Sequence, residues 1–378
     1  MPTVLSVFGV KPVRIGGTET FARELSRQLA GRDWQSVLCF LSKPTDDVRR
    51  FLDLPNNTFE VLENSTNGTW STRWDLMRLL RKHRPEILHL HFVSFLTLYP
   101  WLARLGSVEK ILFTDHHSRP AGYVAAAAPL WKQAAARTLI RPLDKIICVS
   151  RYGYDCMTSV GLLPRNRHEM IYNGVDLSRT ELDPERALAF RQRYSIPADR
   201  AIVTQVSWLI PEKGIADFLE VARLVTAQDR NIQFVLVGDG QRRNEYLEQA
   251  ASMGLSDRVI FTGMIDDPFG AGVYEAADIV CQFSRWEEVF GWMIAEAMVH
   301  RKPVIGTRVG GIPELITDGA TGHLVERQDT KAMSAAVLTL LEDRDKRERM
   351  GQAARAIVED KFDLRKNVAK LIEVYGIS

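Results

Sequence analysis

Short apolar runs alternate with amphipathic stretches along the whole chain. Five runs in the first half predict buried strands: TVLSVF, SVLCFL, EILHLHF, KILFT and KIICVS. The second half repeats the pattern with AIVTQVSW, IQFVLVG, RVIFTG, DIVCQF and KPVIGT. Between the first two runs, TETFARELSRQLAG has helical spacing and ends on Gly31, a residue typical of a helix C-cap. The alternation predicts parallel sheets covered by helices, in two doubly wound α/β domains.

The domain boundary is predicted from a polar, proline-containing stretch between about Leu177 and Arg200. The length of 378 residues suits two such domains. We therefore predict a first domain over residues 1–180 and a second over residues 181–363, facing each other across a cleft. In open parallel sheets, ligands bind outside the carboxyl ends of the strands, so the candidate motifs should lie at those ends.

Composition and charge narrow the function classes. An apolar content of 46% and a charged content of 25% are ordinary for a soluble globular protein. The start MPTVLSVFGV has no signal-peptide pattern, and no run approaches the roughly 20 apolar residues of a membrane span, so we expect a cytoplasmic protein. The four cysteines form no CxxC pair, and no metal site is expected from them.

The charge is divided unevenly between the two halves. Residues 1–180 contain 24 Lys and Arg against 16 Asp and Glu, a net charge of +8, whereas the remainder has a net charge of −6. The basic half favours an anionic partner on that side, although such asymmetry can also have no functional meaning. We expect no nucleic-acid partner.

The stretch TWSTRWDLMRLLRKHRPE predicts a basic amphipathic helix. It places Trp70, Trp74 and Met77 on one helical stripe, with five Arg and Lys residues nearby. Such a helix can lie peripherally on an anionic membrane, or it can be a packed helix with a solvated polar face. The sequence leaves both readings open.

Three glycine-containing turns are candidates for anion binding. In FGVKPVRIGGTET a strand ends and Gly16-Gly17 opens a helix, which suits either a phosphate site or a tight turn. In LVGDGQRRNEY, Gly238 and Gly240 follow a strand, but Asn244 stands where a dinucleotide site would need a third glycine. In RVGGIPELITDG, a glycine pair precedes a short helix.

The stretch RWEEVFGWMIAEAMVHRKPVIGT contains two glutamates seven residues apart in a strand–loop–helix context. Glu288 should lie on the loop and Glu296 inside the helix, about 10 Å apart, which is too far for a shared proton. The backbone N–H groups of Gly291, Trp292 and Met293 would face an anion between them, or the acidic residue is simply favoured by the helix dipole. In FTDHHSRP, a histidine at a strand end can donate a hydrogen bond or move a proton.

Taken together, these motifs resemble the retaining glycosyltransferases of family 4, which have the GT-B fold. The resemblance covers the whole chain and is strongest in the second half. The motifs that carry it are GGTE at residues 16–19, His116, YNGVD at residues 172–176, PEKG at residues 211–214, VGDG at residues 237–240, Glu288-x-Phe290-Gly291 through Glu296, and VGGIPEL at residues 309–315.

The resemblance implies a role for each matching residue. Gly16 and Gly17 would approach the donor phosphates, and His116 would contact the donor sugar near the reacting carbon. Lys213 would hold the diphosphate, and Glu288 would bind hydroxyls of the transferred sugar. We assign His116, Lys213 and Glu288 as catalytic. The remaining donor-binding residues it implies are Phe290, Gly291, Trp292, Met293, Glu296 (on the ribose), Ile265 (near the base) and Gly238.

The resemblance also implies the chemistry and the partners. The substrates would be a nucleotide-sugar donor, with a UDP-sugar favoured and GDP-mannose second, and a polysaccharide, lipid-linked or small-molecule acceptor. No cofactor or metal is expected, since no Asp-x-Asp motif suited to a divalent metal is evident. The last helix, within residues 364–378, would pack back onto the first domain.

Trp208 departs from the family pattern. Family members usually have an arginine at this position, which helps to hold the diphosphate, and a tryptophan cannot make charge-assisted hydrogen bonds. Arg14, Arg119, Arg285 and Arg308 are candidate substitutes. Two alternatives stay open: a sugar-nucleotide epimerase or phosphorylase on the same fold, and, because of Trp208, an inactive nucleotide-binding or scaffold protein.

Overall fold

The computed structural model describes residues 1–63, 65–66, 69–94, 96–124, 129–180, 182–228 and 231–377. The chain divides into two compact units. The first unit comprises Met1–His117, Val124–Gly174 and Leu364–Ser378, and the second comprises Ser118–Tyr123 and Val175–Asp363. No helix among the described residues is long and apolar enough to cross a membrane.

The strands that the structure describes are all parallel to their neighbours within each sheet. Those of the first unit are β1 (Thr3–Phe8), β2 (Gln35–Phe40), β3 (Asn57–Val61), β4 (Ile87–His91), β5 (Lys110–Asp115), β6 (Lys145–Cys148) and β7 (His168–Met170). Those of the second unit are β8 (Ala201–Val206), β9 (Ile232–Val237), β10 (Val259–Phe261), β11 (Ile279–Gln282), β12 (Val304–Thr307) and β13 (Gly322–Val325).

The helices fill the connections between the strands. In chain order they are α1 (Gly17–Ala30), α2 (Asp46–Phe51), α3 (Trp70–His83), α4 (Tyr99–Leu105), α5 (Leu130–Ile140), α6 (Arg151–Ser159), α7 (Pro184–Arg193), α8 (Ile215–Thr226), α9 (Arg243–Ser252), α10 (Val273–Ala276), α11 (Trp292–Val299), α12 (Ile312–Leu315), α13 (Thr330–Glu342), α14 (Arg344–Lys361) and α15 (Leu364–Tyr375). Short 3-10 helices occur at Arg165–Arg167, Leu177–Arg179 and Pro211–Lys213.

The first unit is built on a sheet in the order β3-β2-β1-β4-β5-β6-β7. Alternate strand residues point to opposite faces, so each strand contributes to two cores. On one face Leu5, Leu88 and Phe113 pack with residues of α3, α4, α5 and α6. On the other face Val4 and Leu112 pack with α1 and α15. The strands are apolar on both faces because helices cover both.

The second unit has a sheet in the order β10-β9-β8-β11-β12-β13. One face packs against α8, α9 and α13 around Phe218 and Phe234. The opposite face packs Ile202 and Val235 against residues of α7 and α10. The strand order turns between β8 and β11, and in doubly wound sheets such a turning point is where ligands bind.

All ten apolar runs contain a strand, and the doubly wound prediction is confirmed. The sequence reasoning missed β3, β7 and β13, which are short and have half-buried or exposed positions that weaken the apolar signal. Helix α1 ends one residue before Gly31, as the C-cap prediction implied, but Gly31 has a φ of −65° and so uses no glycine-specific conformation.

The unit boundary differs from the predicted one. The N-terminal part of the first unit extends to Gly174 rather than to residue 180. Within the second unit, Val175 donates its backbone N–H to the Phe362 carbonyl at 2.8 Å. Ser118–Tyr123 also groups with the second unit. Helix α15 contributes Leu364, Val368, Leu371 and Tyr375 to the core of the first unit.

Candidate functional site

The turn after β8 places Lys213 at the carboxyl edge of the second sheet. Lys213 ends the 3-10 helix Pro211–Lys213, and Gly214 follows with a φ of 67°. A Cβ atom on Gly214 would lie 1.8 Å from the Phe283 carbonyl oxygen, just after β11. Only glycine fits this close approach, which fixes the lysine next to the loop that follows β11.

Lys213 and Glu288 form an ion pair in the second unit. The Lys213 Nζ lies 2.5 Å from Glu288 Oε1. The Ser118 hydroxyl donates to Glu288 Oε2 at 3.1 Å, and the Ser284 hydroxyl donates to Oε1. Glu288 is 6% exposed. Burial acts to raise the pKa of Glu288, but the Lys213 ammonium and the two hydroxyl donors outweigh it and hold that pKa below its usual value. The Glu288 carboxylate is therefore ionised at neutral pH.

Glu287 is a buried anchor that sequence reasoning missed. Its carboxylate accepts the Gly122 N–H at 2.9 Å, the Gly310 N–H at 2.8 Å and the Arg327 guanidinium at 2.7 Å. Its backbone exchanges two hydrogen bonds of 2.9 Å with Arg119. Burial acts to raise the pKa of Glu287, and these donors lower it overall. The carboxylate thus holds three chain segments around the Glu288 loop; its position beside Glu288 was the only sequence signal.

The VGGIPEL turn fixes the backbone of Glu288. Gly310 has a φ of 52°, and a Cβ atom there would lie 2.1 Å from the Glu288 carbonyl oxygen. Gly311 donates its N–H to the same carbonyl oxygen at 2.7 Å. The glycine pair therefore supports the carboxylate loop through close backbone contact, whereas the sequence pattern suggested an anion site at the start of α12.

Helix α11 begins where the sequence predicted and carries the second glutamate. Gly291 is its N-cap and has a φ of 105°. Trp292 and Met293 follow in the first turn, where backbone N–H groups have no acceptors inside the helix. Phe290 is buried against Phe362. Glu296 accepts a hydrogen bond of 2.5 Å from the Tyr274 hydroxyl. A helix start of this kind attracts an anion.

Three further predicted residues lie in the second unit. Gly238 directly follows β9 with a φ of 140°, and a Cβ atom would lie 2.0 Å from the Ser207 carbonyl oxygen. Trp208, which follows Ser207 in the chain, is 45% exposed. Ile265 is buried in the cluster with Val235 and Val237 rather than open to solvent.

Three of the arginines that were candidates to replace the family arginine differ in their contacts. Arg285 forms a bidentate ion pair with the buried Asp217, at 2.6 and 2.7 Å. Arg308 lies between Asp318 and Glu326, at 3.7 and 3.2 Å. Arg119 is buried, with its guanidinium 5.7 Å from the ring centroid of Tyr123. Arg285 and Arg308 therefore have carboxylate partners of their own.

In the first unit, Gly16 and Gly17 open α1 as predicted, with Gly16 as the N-cap. The Gly16 N–H donates to the Glu19 carboxylate at 3.0 Å. Glu19 is buried, and this burial raises its pKa above the usual value. The amide that sequence reasoning offered to a donor phosphate is thus already bound to a side chain of the same helix.

His116 directly follows β5 and contacts the buried imidazole of His91. Its Nε2 lies 3.2 Å from Nδ1 of His91, and its ring stacks on Phe92 at 4.3 Å. Desolvation lowers the pKa of His116 to about 3. His89, on the same strand as His91, contacts the Tyr375 hydroxyl at 2.6 Å and the Thr114 hydroxyl at 2.7 Å. His116 is therefore neutral at physiological pH and can exchange hydrogen bonds without carrying charge.

The second unit thus brings together Lys213, Glu288 and the start of α11, while Gly16, Gly17 and His116 belong to the first. Among the described residues, no group of three or more His, Cys, Asp or Glu side chains is arranged to hold a metal ion.

Two protein families match this chain, one in each half. The family described as "Glycosyltransferase Family 4" matches residues 15–179, and that described as "Glycosyl transferases group 1" matches residues 188–357. The alpha-D-kanosaminyltransferase of Streptomyces kanamyceticus is 32% identical over 242 residues, which span 64% of this chain and 62% of that protein. The N-acetyl-alpha-D-glucosaminyl L-malate synthase of Bacillus anthracis is 27% identical over 374 residues, 96% of this chain and 94% of that protein.

Among solved structures, the Anabaena protein HepE in complex with UDP superimposes with a TM-score of 0.80 at 20% identity, covering 100% of both chains. At this identity the match shows a shared fold. Two family matches that together span most of the chain, relatives aligned along it and a shared fold lead to one conclusion: this chain belongs to the family 4 glycosyltransferases, which have the GT-B fold.

Proposed function

We propose that this chain is a retaining, metal-independent glycosyltransferase that uses a nucleotide-diphosphate sugar. The observation that carries the proposal is the ion pair between the half-buried Lys213 and the buried Glu288 at the carboxyl edge of the second sheet. It offers a cation for a diphosphate and a carboxylate for sugar hydroxyls within one loop cluster. The N-terminal amides of α11 add a second anion-binding element.

A UDP-sugar is the favoured donor and GDP-mannose the second. Support for uridine comes from the Anabaena protein, which was solved with UDP and has the same fold. The acceptor is a polysaccharide, a lipid-linked intermediate or a small molecule, and one relative, the N-acetyl-alpha-D-glucosaminyl L-malate synthase, is named for a small-molecule product. In this proposal Glu296 binds the ribose and Ile265 lies near the base.

The proposed reaction exchanges one bond at the anomeric carbon. The bond between that carbon and the phosphate oxygen breaks, and the acceptor oxygen forms a bond on the same face of the sugar. The acceptor hydroxyl gives its proton to the departing phosphate. Lys213 neutralises the charge that develops on the diphosphate. The neutral His116 donates a hydrogen bond to the sugar.

The donor class is tested by a thermal-shift screen of the full chain against UDP, GDP and ADP and their sugars. A ligand that binds only the folded state raises the unfolding temperature. We expect one nucleotide series to raise the unfolding temperature, and we expect the uridine nucleotides to give the largest rise. If no nucleotide or nucleotide sugar does so, the proposal fails and a scaffold role is favoured. An inverted anomeric configuration in the product would disprove the retaining step alone.

A further inference from the structure

Three helices on one face of the first sheet expose large apolar side chains. Trp70 and Trp74 of α3 are 75% and 68% exposed, and Leu130 and Trp131 of α5 are 83% and 69% exposed. Trp101 of α4 is 37% exposed. We call these five residues the aromatic rim. Adjacent exposed aromatic residues of this kind are uncommon on a surface that contacts only water.

The rim residues lie near the same edge of the sheet. Helices α3, α4 and α5 follow β3, β4 and β5, and connecting helices of a parallel sheet begin near the carboxyl ends of the strands. All five rim residues lie in the first two turns of their helices. Helix α4 packs against both α3 and α5. The Trp101 indole N–H also donates to the Thr138 carbonyl of α5 at 3.1 Å, which ties two of the three helices together.

Helix α3 packs against the sheet through residues other than its two tryptophans. Its buried side chains are Thr72, Leu76, Leu79 and Leu80, and three of these pack in the core with β1 and β4. Trp70 and Trp74 therefore contribute little to the folded core. The alternative reading of α3 as a packed helix with a solvated polar face does not account for two exposed indoles.

The charged groups shown beside the rim rings are cations. The three helices contain seven Arg and Lys residues and one acid, Asp75, but Arg78, Lys82 and Arg104 already pair with Asp75, Glu60 and Asp144. The Arg73 guanidinium lies 4.6 Å from the Trp70 ring centroid, and the Lys132 Nζ lies 5.3 Å from that of Trp131. Indole rings with cations beside them are the side chains that prefer the boundary between lipid headgroups and acyl chains.

We propose that the aromatic rim docks the first unit on an anionic lipid bilayer. The indoles and Leu130 insert at the headgroup level, and the surrounding cations contact the lipid phosphates. The carboxyl edge of the first sheet then faces the membrane surface. This inference rests on the proposed function for its purpose, which is to bring a lipid-linked acceptor to that edge, but lipid binding itself requires neither donor nor acceptor.

A second copy of this chain is a weaker occupant for the same surface. A symmetric contact would place each cationic rim against another, with repulsion between like charges. A bilayer containing phosphatidylglycerol supplies opposite charge and an apolar layer together. The charge of the three helices therefore selects the bilayer.

The test is co-sedimentation of the full chain with vesicles of phosphatidylcholine alone or of phosphatidylcholine mixed with phosphatidylglycerol. We expect at least about tenfold stronger binding to the anionic vesicles at low salt, reduced by added salt because the surface potential is screened. Brominated lipid should quench part of the tryptophan emission of the wild-type protein. Failure to bind anionic vesicles, or binding without quenching, would overturn the proposal.

The variant for this test is the triple change Trp70→Ser, Trp74→Ser and Trp131→Ser. It should lower binding about tenfold, whereas Leu188→Ser, an exposed apolar residue of α7 that is 54% exposed, should leave it unchanged. Equal binding by the triple variant and the wild type would contradict the proposal. So would a wild-type dimer that the triple variant abolishes, which would make the rim an interface between copies. Nucleotide binding by the triple variant should be unaltered, so failure of lipid docking and failure of the donor proposal can be told apart.

Discussion

The two units hold their candidate residues in opposite electrostatic states. In the second unit, the ionised Glu288 carboxylate pairs with Lys213, and the neighbouring Glu287 is held by backbone amides and Arg327. In the first unit, His91 and His116 contact each other and are neutral, because desolvation lowers both pKa values. Fixed charges suit a ligand with a charged diphosphate, whereas neutral imidazoles suit uncharged hydroxyls. The difference favours the second unit as the site of the nucleotide.

The largest effect is expected when the cation of the second unit, Lys213, is removed. Lys213→Ala should lower the transfer rate by a factor on the order of 10²–10³, the loss seen when one group that stabilises transition-state charge is removed. The measurement is kcat with the nucleotide sugar identified by thermal shift. Lys331→Ala, an exposed lysine in α13, is the matched control and should keep full turnover.

A structural defect must be separated from this loss. Lys213→Ala leaves Glu288 buried without its partner, which costs about 3–5 kcal/mol in typical cases. Adding Glu288→Gln removes the unpaired charge, so the double variant should regain thermal stability but not activity. Recovery of both together would mean that Lys213 acts only on folding.

Acid should affect the first unit before the second. The pKa values of His89, His91 and His116 are lowered in the folded state, so the unfolded chain takes up more protons below their ordinary value of 6.5. The free energy of unfolding should then fall by about 2 kcal/mol per histidine between pH 7 and pH 5. The second unit has one such deeply buried histidine, His300, whose pKa desolvation lowers to about 4.

The carboxylates of the second unit respond over a different range. The pKa values of Glu287 and Glu288 are lowered in the folded state, so their stabilisation is complete above about pH 4.5 and is lost as the pH falls further. Hydrogen exchange at pH 7 and pH 5, corrected for intrinsic rates, should show lost protection in β4 and β5 and a smaller loss in β11. Equal loss in both sheets would contradict the assigned protonation states.

Glu287→Gln tests the anchor of the second unit with a moderate effect. The amide keeps the size of the side chain but weakens three hydrogen bonds to a charged acceptor, so we expect a loss of about 2 kcal/mol in unfolding free energy. That corresponds to a fall of roughly 4–8 °C in melting temperature. Glu326→Gln, on an exposed carboxylate beside Arg308, should change neither stability nor donor affinity. An unchanged melting temperature for Glu287→Gln would show that Glu287 does not anchor these segments.

Trp208→Arg should have the smallest effect. It restores the residue type that the resemblance implies, on a side chain that is 45% exposed, so donor binding should stay the same or tighten by about tenfold at most. Calorimetric titration with UDP measures this, and Trp208→Gln, which removes the ring without adding charge, separates the two contributions. Weaker binding by the arginine variant would show that the indole itself contacts the donor.

The sequence predicted ten of the thirteen described strands because their residues are mostly apolar on both faces. It also predicted that Gly291 begins α11 and that Lys213 ends a turn next to a glycine. It could not predict that Lys213 and Glu288, 75 residues apart, are in direct contact, because that pairing depends on the order of strands in the sheet. The anchoring role of Glu287 depends in the same way on three distant segments, and His91 gave no signal beyond an apolar strand.

The most direct test of the account is hydrogen exchange of the full chain with and without the nucleotide that gives the largest thermal shift. We predict increased protection in residues 207–214 and 284–293 of the second unit, with loss of that protection in Lys213→Ala. If no nucleotide protects these two segments, or if Lys213→Ala binds and turns over like the wild type, the assignment of the donor site to Lys213 and Glu288 is wrong.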